Sequence, residues 1–290
     1  MANIEVERAI FGRSRTAAGE AAPWIERLAR FGYAAKGVVY AVVGGIAFDA
    51  AIGAGRATGS RGALESMLGQ PLGRVMLGLV AVGLAGYVVW KAVQAIMDPE
   101  HLGTDAKGWF KRAAFALTAV IYAGLALAAA RLALSGSSGG GGAGAEGDGS
   151  GPDRWVTMVM DKPLGRWAIA AVGVGIIAYG IYNLYKGYAA KLSEELDLSD
   201  LEPENRRRVI WTGRFGMAAR GVVFGIVGWF LIMAALHYEP TEAMGLGGAL
   251  RTLENQPYGP WLLGAVALGL VAYGLFYLVK ARYRRIDAHT

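Results

Sequence analysis

The chain has no cysteine. Disulfides, thiolate nucleophiles and cysteine-ligated metals are excluded together, and the redox state of the surroundings is left open. Histidine is nearly as scarce. His101, His237 and His289 have no metal-ligand spacing, and no His-Glu-x-x-His run exists. No strand-to-helix nucleophile elbow is present, and the glycine-rich tract lacks the Gly-Lys-Ser/Thr of a phosphate loop. Charged residues are only 18% of the chain, and no basic face stands apart on which nucleic acid could lie. No long apolar stretch carries two carboxylates, as a proton-coupled site often does. These absences leave no catalytic, cofactor-binding or metal-ligating residue to name. The expectation is a protein that is not an enzyme, holds no cofactor and binds no nucleic acid.

What is abundant is apolar sequence. Hydrophobic residues make up 54% of 290, and the mean hydropathy is +0.35. Crossing the hydrocarbon core takes roughly 20 apolar residues. Six stretches qualify, at about 31–51, 72–95, 113–134, 164–186, 215–237 and 260–280. No apolar core of signal-peptide type precedes the first, so no cleavage is expected. The lipid bilayer is the first expected partner.

The six stretches form three copies of one unit. Gln70-Pro71-Leu72-Gly73, Lys162-Pro163-Leu164-Gly165 and Gln256-Pro257-Tyr258-Gly259 each open an apolar run. Past each proline come a glycine, a tyrosine, an aromatic and a polar residue, at steps of 12, 16, 19 and 23. The sets are Gly83/Tyr87/Trp90/Gln94, Gly175/Tyr179/Tyr182/Lys186 and Gly269/Tyr273/Phe276/Lys280. Steps of four, three and four place each set on one helical stripe, expected to meet the same neighbour in all three units. The proline, lacking an N–H, is expected to start the second helix. The half-apolar segments 63–68, 155–160 and 249–253 read as short amphipathic helices in the outer interface.

Charge distribution sets the orientation. Nineteen Lys and Arg fall on the side of the termini and eight on the opposite side, Lys36 and Arg220 being counted apart. The positive-inside rule then puts both termini in the cytoplasm. The expected divisions are a polar segment 1–23, repeat 24–95, repeat 107–190, a charged linker 191–207, repeat 208–283 and a tail 284–290. A short interfacial helix is expected at 23–27. Residues 135–151, nearly all Gly, Ser and Ala, read as a disordered external linker within the second repeat.

Two cations lie inside spans. Lys36 and Arg220 sit about 8 Å, five residues at 1.5 Å each, inside the terminal-side end of their helices. Tyr87 and Tyr273 lie at matching depth on the antiparallel partners. Lys36 is therefore expected to meet Tyr87 and Trp90, and Arg220 to meet Tyr273 and Phe276, by hydrogen bonding and cation–π contact. Thr118, at the equivalent place in the middle unit, would face Tyr179 and Tyr182 as a neutral version. Snorkelling cations beside interfacial aromatics are the simpler reading of the same residues. A candidate ion pair, Asp49 with Arg131, falls at one depth near the outer ends of the first and third spans.

The helix opening Arg30-Phe31-Gly32-Tyr33-Ala34-Ala35-Lys36-Gly37-Val38-Val39-Tyr40 matches Arg214-Phe215-Gly216-Met217-Ala218-Ala219-Arg220-Gly221-Val222-Val223-Phe224. Together with the Gln-Pro-x-Gly openings, this pattern resembles a bacterial membrane family catalogued as domain of unknown function 1206. The resemblance spans about Trp24 to Tyr283 and departs in the middle unit at Thr118. It implies a bacterial inner-membrane protein and carries no established activity. The expected architecture is all-α and polytopic, with six transmembrane helices as three repeated hairpins of approximate three-fold pseudo-symmetry. The expected role is structural or accessory, with an unidentified membrane-protein partner or a homo-oligomer. The alternative is a channel or small-solute transporter favouring anions, with Lys36 and Arg220 near the path.

Overall fold

The computed structural model describes residues 2–96, 106–135, 152–189 and 201–283, with Leu196 and Leu198. The glycine-rich linker beyond Ser135, residues 191–195, 197, 199 and 200 of the charged linker and the tail 284–290 lie outside the described residues. Helices α1 (Ala2–Ala51), α2 (Ser60–Leu68), α3 (Gly73–Ile96), α4 (Ala106–Ser135), α5 (Pro152–Met160), α6 (Gly165–Tyr188), α7 (Pro203–His237), α8 (Leu246–Glu254) and α9 (Gly259–Tyr283) follow in order. Six of them are long and apolar enough to cross a membrane: α3, α6, α7, α9, Arg27–Ala51 of α1 and Lys111–Ser135 of α4. The molecule is an all-α polytopic membrane protein. Its large apolar side chains line the outside as well as the core, Leu79, Val82, Val174 and Leu268 among them, as a hydrocarbon solvent permits.

Two helix starts differ from expectation. Helix α1 runs unbroken through Pro23, so the short helix expected at 23–27 is part of a longer one. Helix α7 begins at Pro203, so residues 203–207 are its first turn rather than linker. Proline is accepted there because a first-turn N–H has no partner to lose. Glu204 pairs with Arg208 on the exposed face of that turn.

The proline motif also starts its helix differently. The second helix begins at the glycine, two residues past the proline. The residue between them has positive φ: Leu72 at 62°, Leu164 at 65° and Tyr258 at 65°. The amide of Gly73, Gly165 or Gly259 donates back to Gln70, Lys162 or Gln256 at 2.7–2.9 Å. This is a β-turn with proline at its second position and a left-handed third residue. The glycine is there for space. A methyl on Gly73 would lie 2.2 Å from the Met67 carbonyl oxygen, because α2 folds back onto the start of α3.

The spans form a ring. Helices α1 and α3 pair within the first hairpin and α7 and α9 within the third, while α3 packs on α4, α6 on α7 and α9 back on α1. One arginine marks each contact between units. Arg112 donates to the carbonyls of Ala95 and Ile96 at the end of α3, both at 2.8 Å. Arg214 caps Tyr188 at the end of α6, and Arg30 caps Ala281 and Arg282 near the end of α9. A cation at the C-terminal end of a helix satisfies orphan carbonyls and complements the helix dipole. The three-fold arrangement is thus cyclic, joining the last helix to the first.

One link of the ring is open. Helices α4 and α6, the middle hairpin, are not packed on one another. The reason is steric. In the first hairpin a methyl on Gly32 would lie 2.5 Å from the Tyr87 backbone nitrogen, and one on Gly83 would lie 2.5 Å from the Ala35 Cβ. In the third, the same test gives 2.4 Å for Gly216 against Tyr273 and 2.2 Å for Gly269 against Ala219. Backbones that close require glycine. The middle unit has Ala114 where the others have Gly32 and Gly216, and Leu117 where they have Ala35 and Ala219. Only 22% of the spans in α4 and α6 is buried, against 44–56% in the other four.

Candidate functional site

The ring encloses a cluster of tyrosines around two cations. Lys36, 2% exposed, donates from Nζ to the Tyr87 hydroxyl at 3.1 Å and the Tyr277 hydroxyl at 3.4 Å. Its charge lies 4.4 Å from the ring centroid of Tyr277, 4.8 Å from Tyr122 and 4.9 Å from Tyr87. Arg220, 7% exposed, donates from Nη1 to the Tyr273 hydroxyl at 2.7 Å and the Tyr179 hydroxyl at 3.4 Å. Its guanidinium lies 4.4 Å from the Phe224 ring. Tyr40 and Tyr273 stand near both cations, at 5.8 and 5.0 Å from Arg220 and 5.9 and 6.0 Å from Lys36. The two halves are therefore one cluster, built by all six spans.

Among the described residues the buried charged side chains are Lys36, Lys91, Arg220 and Lys280, all cationic. Taking each out of water costs several kcal/mol. A desolvated cation–π contact returns about 2 kcal/mol, and a hydrogen bond to a charged group about 1.5–3 kcal/mol. Several rings and two hydroxyls around one cation are enough to hold it. Arg220 keeps one buried donor, Nε, without a hydrogen-bond acceptor.

The remaining candidates are distributed differently from expectation. Trp90 does not meet Lys36; its indole N–H donates to the Tyr33 hydroxyl at 3.0 Å. In an antiparallel pair, one turn further along α3 faces one turn back along α1, and 90 pairs with 33 as 87 pairs with 36. Phe276 likewise leaves Arg220 to Phe224 and packs beside Tyr277, ring centroids 6.3 Å apart. Thr118 does not face Tyr179. Its hydroxyl donates to the Ala114 carbonyl at 2.7 Å. Tyr179 serves Arg220 of the following unit instead. The middle stripe lacks the cover of the other two: Tyr179 is 42% and Tyr182 52% exposed, while Tyr87, Trp90, Tyr273 and Phe276 are buried. Asp49 and Arg131 are both exposed at the outer ends of α1 and α4.

Sequence reasoning missed Tyr33, Tyr40, Tyr122 and Tyr277 as members of the site. Tyr40, Tyr122 and Phe224 carried a signal, since each lies four residues past Lys36, Thr118 or Arg220 and so on the same helical face. Lys91 was also missed. It lies 4.4 Å from the Phe115 ring and donates to Gln94 at 2.6 Å. Each contact between units thus holds a cation: Lys36 at α9/α1, Arg220 at α6/α7 and, where the first helix has only Thr118, Lys91 from the facing helix at α3/α4.

The model of the family described as Domain of Unknown Function (DUF1206) matches three times, at residues 31–98, 113–190 and 215–284. The chain is 34% identical over 267 residues to the uncharacterized protein YxxB of Bacillus subtilis (strain 168), covering 92% of this chain and 94% of that one. No solved structure matches it.

Proposed function

This chain belongs to the DUF1206 family, and from that premise we propose that it is a structural or accessory protein of a bacterial inner membrane, not an enzyme. Both termini lie in the cytoplasm on this reading, because nineteen Lys and Arg fall on their side against eight opposite. The accessory role rests on the filled centre of the ring. Tyr40, Tyr87 and Tyr273, each at most 2% exposed, close around Lys36. A conduit for ions needs a hydrated path with groups free to exchange partners. Here hydroxyls and ring faces already engage the central cations. A membrane-protein partner or a second copy would dock on the lipid-facing surface.

The orphan Nε of Arg220 favours a second reading, an anion-favouring channel or transporter. Anion flux into liposomes carrying the purified protein separates the two. The accessory role predicts flux no greater than in protein-free liposomes. Flux that disappears in a folded Lys36→Met/Arg220→Met variant would replace it with the transporter.

A further inference from the structure

We propose that the open seam between α4 and α6 is a binding site for an acidic lipid, whose headgroup oxyanion is drawn toward Arg220. The inference goes beyond the accessory reading and does not depend on it. Four observations converge on the seam. The stripe that the first helix covers in the other two hairpins is uncovered only here, since Ala114 and Leu117 hold α4 away. The uncovered stripe is not apolar. Tyr179 and Tyr182 are stacked, ring centroids 6.4 Å apart, and both present hydroxyl-bearing rings to the surroundings. A hydroxyl left without a partner in hydrocarbon is costly. Behind Tyr179 stands Arg220, more than nine-tenths buried, with Nη1 on the Tyr179 hydroxyl and Nε lacking an acceptor. Finally, no buried carboxylate is among the described residues to neutralise it.

An anion is the acceptor best suited to that unengaged Nε, and the route to it is lateral, from the bilayer. Lys186 lies seven residues beyond Tyr179 on α6, about 10 Å along the helix toward the terminal-side surface. Lys186, Tyr182, Tyr179 and Arg220 then form a descending series of donors from headgroup level into the ring. The opposite wall is apolar and suits acyl chains, with Leu117 and Val120 of α4 both exposed. Gly175, one turn from Tyr179 on the same face, has no atom within 4 Å of where a Cβ would stand, which leaves room for a chain. A soluble anion would use the same donors but has no use for the apolar wall.

Native mass spectrometry of the purified full chain tests this, with phosphatidylglycerol and phosphatidylcholine of identical acyl chains as probes. The expected result is one retained phosphatidylglycerol per chain, with a preference of about tenfold or more over phosphatidylcholine, the scale of one charge-assisted hydrogen bond. Arg220→Gln is expected to lose that preference. Should that variant fail to fold, Gly175→Leu fills the seam at a position with open space, so it keeps wild-type melting while losing the preference. Equal retention of the two lipids, or an undiminished preference in folded Gly175→Leu, overturns the proposal. So does displacement of the lipid by millimolar inorganic phosphate, or a bound polypeptide or second copy that excludes it.

Discussion

Arg220 donates to Tyr273 and Tyr179 at once, and the two contacts are not equivalent. The Tyr273 hydroxyl is the nearer acceptor at 2.7 Å, and Tyr273 is buried. Tyr273→Phe keeps the ring over the guanidinium and removes that acceptor. The expected loss is about 1.5–3 kcal/mol, the worth of a hydrogen bond to a buried charge. Tyr179→Phe, at a longer contact on a half-exposed residue, should cost less. Thermal unfolding of the two variants in detergent orders them, and a larger loss for Tyr179→Phe would show that Arg220 is held from the seam side. Neither ranking was legible beforehand. Residue spacing gives depth and helical face, but the reach of a side chain across a contact depends on how the backbones cross.

At the scale of the element, the proline turn concentrates strain. Leu72 holds a left-handed conformation that costs an ordinary residue about 1–2 kcal/mol, and its side chain is mostly exposed. Leu72→Gly is expected to raise stability by about 0.5–1 kcal/mol, once the added freedom of the unfolded chain is subtracted. Gly73→Ala should lower it by about 2 kcal/mol or more, because the new methyl meets the Met67 carbonyl. Denaturation of both variants checks the signs. The hairpins give a second test. Gly83→Ala, whose methyl would lie 2.5 Å from the Ala35 Cβ, should lower the melting temperature. Gly175→Ala, at the matching place in the middle unit, meets no atom within 4 Å and should leave it unchanged. Thermal unfolding in detergent reads both. An equal loss in the two variants would mean the middle hairpin closes like the others.

For the whole molecule, the arginines that cap the preceding helix make the three units a cycle, and the middle hairpin interrupts it. Orientation in the membrane is tested on single cysteines at exposed sites on opposite faces. Glu204→Cys, near the start of α7, should be protected from a membrane-impermeant maleimide applied to intact cells. Glu239→Cys, between α7 and α8, should be labelled. The reverse pattern would invert the topology argued from Lys and Arg.

Six spans, their pairing into three units and the depth of Lys36 and Arg220 follow from the sequence alone. Length and hydropathy decide what crosses a bilayer, and a repeated motif at fixed steps aligns the units whatever their packing. Even the open hairpin left a trace, since Ala114 and Leu117 interrupt a pattern of Gly and Ala at those places. What only the tertiary structure decided is which surfaces meet: α9 closing on α1, Tyr277 and Tyr122 joining Lys36, and Tyr179 serving the next unit's arginine. Those contacts join residues as many as 252 positions apart. They depend on how closely backbones cross, and one or two side chains at each crossing set that distance.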